Sequence, residues 1–216
     1  MPVDGPTYPV NLRVSGRRCL VVGGGAVALA KVTGLLDAGA LVDVVAPRIT
    51  DDLAALAARP DVAVTAAARA YRPGELAGYR LVITATDDAA VNRAVFEEGE
   101  EAGIWVNSAD DPANCSFTLP ARVRRGDLTV TISTSGRSPA LAAWLRRRLG
   151  DELGPEYEVL LDLLGAEREA LRARGMATEG LDWQRALDSG MLDLIREGRR
   201  EAARERLRAC LSSSSD

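Results

Sequence analysis

The chain has 216 residues, of which 47% are apolar and only 4% aromatic, so a sizeable core must be built from Ala, Val and Leu. Its net charge of −4 argues against a general nucleic-acid binder, which carries a basic excess. Cys19, Cys115 and Cys210 are odd in number and far apart, without metal-ligand spacing, so neither a disulfide framework nor a metal site is expected. Free thiols in a reducing cytoplasm are the simplest expectation. The opening MPVDGPTYPV lacks the apolar segment of a leader, and no run approaches the ~18 apolar residues of a membrane span.

The first apolar run, RRCLVV (17–22), reads as a strand and ends in Gly23-Gly24-Gly25. In AVALAKVTGLLDAG, Ala28, Val32, Leu35 and Leu36 share one helical face, and Gly39 suits the helix end. LVDVVAP (41–47) is the next strand. Thr50 is placed to cap a helix whose first turn carries Asp51 and Asp52, the favourable end of the dipole. DVAVT (61–65) is a weaker strand, YRPGELAGY a loop and LVITAT (81–86) a buried strand. Asp87 is expected to cap a helix reaching Ala102, with Gly103 as its stop, before the strand IWVN (104–107). Strands and helices alternating at short intervals imply an α/β fold with a parallel sheet covered by helices.

Beyond residue 115 the pattern changes. SFTLPARVRR and DLTVTIST are extended runs around Gly126-Asp127, which predicts a hairpin. Ser138 and Pro139 fit the N-cap and first position of a helix on which Leu141, Leu145 and Leu149 share a face. From Gly154-Pro155 the chain reads as helical and charged. Leu160, Leu161, Leu164 and Leu171 form its stripe, Trp183, Leu187, Leu192 and Ile195 continue its apolar content, and the closing SSSSD is expected to fray. Three regions are expected: a Rossmann-type domain over 1–115, a small hairpin–helix region over 116–150 and a helical domain over 151–216.

Gly23 to Ala28 fit G-x-G-x-x-A. Gly23 permits the tight turn after the strand, Gly25 lets backbone approach a pyrophosphate, and the small Ala28 lets the helix pack close to the sheet. The helix N-terminus then offers N–H groups to phosphates. The motif follows a strand and opens a helix, the context that gives it meaning. The acid that often ends the second strand is absent. That end reads Val45-Ala46-Pro47-Arg48, and Asp43 lies inside the strand and points elsewhere, so NAD and NADP are both open on these residues. Thr84, Ala85 and Thr86 end the fourth strand at the same carboxyl edge and are expected to line the nicotinamide side. NSADDPANCSF (107–117) leaves the fifth strand at that edge too. In a chain with no histidine, Asp110 is the candidate base, and Asp111 the acid that shapes the loop. Half-burial beside a like charge is expected to make Asp110 the better base.

Four stretches in order resemble the precorrin-2 dehydrogenase / sirohydrochlorin ferrochelatase family, the N-terminal part of siroheme synthase: VVGGGAVALAK, TATDDAAVN, VNSADDPANCSFTLPA and TISTSGRSPALAAWLRRRL. The resemblance is strong over residues 8–150. It implies a Rossmann-type domain, dimerisation through the hairpin region and NAD-dependent oxidation of precorrin-2 to sirohydrochlorin. In some members it also implies Fe²⁺ insertion. It matches the family's catalytic aspartate to Asp110 and its cofactor contacts to Ala26, Val27, Pro47 and Arg48, beside the glycines Gly23, Gly24 and Gly25. Some members carry an acid at the position of Ala26, so binding here is expected to rest more on backbone. Ser135 and Ser138 match a hydroxyl-bearing loop that is phosphorylated in some relatives. Asn107, Asp111, Ser135, Arg137, Ser138 and Arg146 are the expected substrate contacts, because a polycarboxylate needs cations and arginine grips carboxylates with two hydrogen bonds. The methyltransferase domain that some members carry is not expected here. A homodimer is, with no nucleic-acid or membrane partner and no fixed metal. The alternative is a nucleotide-sensing regulatory protein without turnover, and a third reading is a dehydrogenase of another anionic substrate.

Overall fold

A computed structural model describes residues 7–212. Residues 1–6, which open the stretch read for a leader, and 213–216, most of the tail expected to fray, lie outside the described residues. The chain divides into two compact units: residues 7–119 with 135–137, and 120–134 with 138–212.

The first unit is built on five parallel strands: β1 (Arg18–Val22), β2 (Leu41–Ala46), β3 (Val64–Ala68), β4 (Leu81–Thr84) and β5 (Trp105–Ser108). Their order is β3-β2-β1-β4-β5, so the winding direction reverses between β1 and β4. Three helices connect them: α1 (Ala26–Leu36), α2 (Asp51–Ala57) and α3 (Ala89–Ala102). This is the Rossmann-type sheet that the alternating pattern implies. Its strands are buried on both faces, and their residues sort by period two. Cys19, Val21, Val42, Val44 and Ile83 face a core closed by Ala28, Val32, Leu35 and Leu53. Leu20, Val22, Val45, Val82 and Val106 face a second core that Leu76 and Val95 complete. Burial pushes the Cys19 thiol up to about 11, so it behaves as a small apolar residue.

Two local expectations shift. β3 begins at Val64, not Asp61, because its pairing with β2 runs from Val42↔Val64 to Ala46↔Ala68. That register recruits three alanines with no strand pattern of their own. The cap of α3 is Asp88, not Asp87: its Oδ1 accepts from the backbone N–H groups of Ala90 and Val91 at 2.9 and 3.2 Å. Gly103 ends that helix in the left-handed conformation, φ 66°. Thr50 stands at the N-cap of α2 without a side-chain bond to it.

The second unit contains the antiparallel hairpin β6 (Ala121–Arg125) and β7 (Leu128–Ile132), then α4 (Pro139–Glu152), α5 (Glu156–Ala173), α6 (Trp183–Leu187), α7 (Met191–Arg196) and α8 (Arg200–Ser212). Ser138 caps α4, its Oγ accepting from the Leu141 N–H at 3.2 Å. None of the α4 residues is buried, and Leu141 and Trp144 are each 47% exposed. The stripe on α5 is Leu160, Leu163, Glu167 and Leu171, while Leu161 and Leu164 are only half-buried. Glu167 is tolerated on the buried face because its Oε2 accepts from Arg208 Nε at 2.8 Å. Among the described residues no helix is long and apolar enough to cross a membrane.

Candidate active site

The carboxyl edge of the sheet gathers the glycine turn and the ends of β4 and β5. Gly23 has φ 137°, and a Cβ there would lie 2.2 Å from the Ala85 carbonyl oxygen, so only glycine fits between β1 and β4. A Cβ on Gly24 would lie 2.1 Å from the carbonyl oxygen of Arg48, and the Gly24 oxygen accepts from the Thr50 N–H at 2.9 Å. The turn is therefore fastened to the loop after β2. At Gly25 the direction of a Cβ is open, with no atom within 4 Å. Gly25 precedes α1, whose first N–H groups have no partner one turn back, and Ala28 is fully buried under the turn. A crowded Gly23 and Gly24 with an open Gly25 is the arrangement a dinucleotide pyrophosphate requires.

A cleft of about 360 Å³ opens beside this turn, lined by Val27, Ala85, Thr86, Asp87, Asn92 and Asp110, with Ala89, Ala109 and Asp111 completing it. It lies where β1 and β4 diverge, the crevice in which doubly wound sheets bind ligands. Asp110 reaches it from the loop after β5, in the left-handed region at φ 61°. It is exposed rather than half-buried, because the loop turns its side chain outward from the strand end. Asp111 is tied down: its Oδ2 accepts from Asn114 Nδ2 at 2.6 Å, and its carbonyl accepts from the Asn114 N–H at 3.1 Å. Below the loop, the Cys115 Sγ contacts the Ser108 N–H at 3.2 Å and the Asp111 carbonyl at 3.3 Å. Burial pushes the Cys115 thiol up, so it holds the loop as a neutral group.

Not every expected residue arrives at the cleft. Thr84 is buried, and its Oγ1 donates to Ser108 Oγ at 2.7 Å, clamping β4 to β5. Asn107 is buried, and its Nδ2 donates to the Phe117 carbonyl at 2.9 Å. Pro47 and Arg48 are exposed at the end of β2, outside the cleft lining. Asp43 does point elsewhere, accepting from Arg18 at 2.7 Å, Tyr79 Oη at 2.9 Å and Thr65 Oγ1 at 2.5 Å. Ser135, with φ 50°, and Arg137 belong with the first unit, Ser138 and Arg146 with the second.

Two polar cleft residues, Asp87 and Asn92, were not among the expected site residues, although Asp87 was placed at this edge as a cap. Asp87, released from capping by Asp88, presents a third carboxylate. Asn92, one turn into α3, is 5% exposed, and its Nδ2 donates to the Thr86 carbonyl at 3.0 Å. Asn92 closes the TATDDAAVN stretch, but a lone amide among small helical residues gives no sign there that it lines a cleft. The three carboxylates Asp87, Asp110 and Asp111 favour a cationic ring such as an oxidised nicotinamide. Among the described residues no group of three or more His, Cys, Asp or Glu is arranged to hold a metal ion.

Comparison with known proteins agrees with this geometry. Residues 10–121 match the family model described as "Putative NAD(P)-binding", and residues 125–152 match "Sirohaem biosynthesis protein central". The chain is 37% identical over 210 residues to a siroheme synthase of Nitrosomonas europaea, covering 96% of this chain and 44% of that protein. It is 40% identical over 211 residues to one of Thioalkalivibrio sulfidiphilus, covering 97% and 43%. It thus spans less than half the length of these curated relatives. A solved structure titled "SirC, precorrin-2 dehydrogenase" superposes with a TM-score of 0.68 at 26% identity, covering 94% of this chain and 98% of that one. A dinucleotide crevice built on a G-x-G-x-x-A turn and a family match over that whole domain lead to one conclusion: the chain belongs to the family described as "Putative NAD(P)-binding", with a segment matching "Sirohaem biosynthesis protein central" directly after it.

Proposed function

We propose that the chain catalyses the NAD-dependent oxidation of precorrin-2 to sirohydrochlorin. The observation that carries this reading is the convergence of Val27 from the first turn of α1, Thr86 from the end of β4 and Asp110 from the loop after β5 on one crevice beside the glycine turn. The relatives named siroheme synthase and precorrin-2 dehydrogenase support the substrate. Bound NAD⁺ supplies the hydride acceptor.

The chain's own residues have simpler tasks. Gly23, Gly24 and Gly25 form the turn, and the N–H groups that open α1 hold the pyrophosphate. Ala26 and Val27 cover it from the first helical turn, while Pro47 and Arg48 border the adenosine side. Ala85 and Thr86 border the nicotinamide side, with Thr84 as the clamp beneath them. Asp110 takes the proton that leaves the tetrapyrrole as the hydride departs. Its exposure suits it to reach a large, flat substrate that enters from solvent, and such a base contributes about 10²–10⁴-fold. Arg137 and the Ser135 hydroxyl are assigned to the substrate's carboxylates, and Asp111 and Asn107 to the shape of the loop after β5. Anaerobic mixing with precorrin-2 and NAD⁺ should generate reduced cofactor, followed by its absorbance. Asp110→Asn should cut kcat at least about 10²-fold with unchanged NAD⁺ affinity. A folded protein that binds NAD⁺ without turnover would favour the nucleotide-sensing alternative.

Fe²⁺ insertion belongs to the same reading as a second step, in which Asp110 accepts the two pyrrole protons in turn. Sirohydrochlorin and Fe²⁺ with protein, compared with protein-free buffer, test it. We also assign the reaction to a cytoplasmic homodimer. The exposed Leu141 and Trp144 on α4, which buries none of its own residues, support a self-association face. Light scattering should give twice the monomer mass at micromolar concentration, and a monomer there would contradict it.

A further inference from the structure

Asn92 is the one buried side chain among the described residues whose polar atom lacks a partner: its Oδ1 accepts no hydrogen bond. A buried acceptor left unpaired is unfavourable, and such atoms call for an explanation. Its amide orientation is set by the other end, where Nδ2 donates to the Thr86 carbonyl at 3.0 Å, so the oxygen is the free atom. The residue is 5% exposed and lines the cleft with Val27, Ala85, Thr86 and Asp110.

The topology says which part of a dinucleotide lies there. The pyrophosphate sits at the start of α1, between the two halves of the sheet. The adenosine half extends over β2, where Pro47 and Arg48 stand. The nicotinamide half must then extend over β4 and β5, along the wall that Asn92 forms from the first turns of α3. The carboxamide NH₂ of that half donates and cannot accept, whereas the ribose hydroxyls do both and have Thr86 and the nearby acids at hand. An acceptor-only atom suits the donor-only group.

We propose that Asn92 Oδ1 is the acceptor for the carboxamide NH₂ of the nicotinamide, the bond from Nδ2 to the Thr86 carbonyl setting which end of the amide is left to accept. Oδ1 is covered, so the contact requires a side-chain rotation that turns it into the cleft Asn92 lines. The contact also fixes which face of the ring meets Asp110. This rests on the cofactor reading and not on the tetrapyrrole reaction.

The test compares calorimetric affinities for NAD⁺ and acetylpyridine adenine dinucleotide, in which a methyl ketone replaces the carboxamide and removes the donor. No tetrapyrrole is present. The unaltered chain should prefer NAD⁺ by about 3- to 10-fold, the worth of one neutral hydrogen bond. Asn92→Ala should bind NAD⁺ more weakly and lose the preference, its ratio falling to about one. Asn92→Asp keeps an acceptor, so it should keep the preference, and it carries the test if the alanine variant does not fold. A ratio unchanged in Asn92→Ala, a preference lost in Asn92→Asp, or no preference in the unaltered chain would overturn the assignment while leaving NAD binding intact. Failure of the unaltered chain to bind either dinucleotide would overturn the cofactor reading with it.

Discussion

A methyl group added at Gly24 and one added at Gly25 meet opposite surroundings, although both lie in one glycine triplet. At Gly24 the methyl carbon would sit 2.1 Å from a backbone oxygen of Arg48, which cannot move without breaking the bond from the Thr50 N–H to the Gly24 oxygen. Gly24→Ala should therefore lower unfolding stability by about 1–3 kcal/mol. At Gly25 nothing lies within 4 Å and φ is −92°, which any residue adopts. Gly25→Ala should keep stability within about 0.5 kcal/mol and still weaken dinucleotide binding, because the methyl occupies the path of the pyrophosphate. Urea denaturation and calorimetry read the two effects separately. If Gly25→Ala bound NAD⁺ as well as the unaltered chain, the pyrophosphate would not run over this turn.

At the scale of elements, the end of β4 separates two adjacent acids by function. Asp88 satisfies two of the N–H groups that open α3, so Asp88→Ala should cost about 1 kcal/mol. Asp87→Ala should leave stability within about 0.5 kcal/mol and act only on the cleft. Equal losses from the two would mean that both cap. The sequence cannot rank these neighbours, since either fits an N-cap before an alanine run. What it does show is carried by periodicity: the strands at 17–22, 41–47 and 81–86, the glycine turn and the placing of Asp110 beyond the fifth strand. The far end of β3 was unreadable because Ala66, Ala67 and Ala68 have no alternation and owe their strand to pairing with β2. Glu167 was unreadable as a buried position because the arginine that stabilises it, Arg208, stands 41 residues away. Asn92 stood in the TATDDAAVN stretch, but its place in the cleft was not readable there. Its meaning comes from an unpaired oxygen and a cleft, both properties of tertiary structure.

At the scale of the whole molecule, the first unit depends on two carboxylates that the second unit does not share. Burial alone would raise the pKa of Asp43, but hydrogen bonds from Thr65, Arg18 and Tyr79 outweigh it and hold the group below its ordinary 3.8. Burial would likewise raise Glu98, but bonds from Tyr71 and from the Gly74 and Leu76 N–H groups hold it below 4.5. Both pKa values are lower in the folded state than in the unfolded chain. Their contribution to stability is therefore fully present above the unfolded values and is lost as pH falls through the folded ones. Asp43 joins Arg18 on β1 to Thr65 on β3 and to Tyr79, and Glu98 pins the 71–79 loop onto α3. Acidification should then loosen the sheet and that loop together. Hydrogen exchange, corrected for its intrinsic pH dependence, should show protection of β2, β3 and residues 71–79 constant from pH 7 to about 5 and falling below about 4. Glu98→Gln removes one titrating group, so its stability should start lower at neutral pH and decline less steeply with acid. Protection of the 71–79 loop that held steady through pH 3 would mean that these bonds do not couple protonation to the fold.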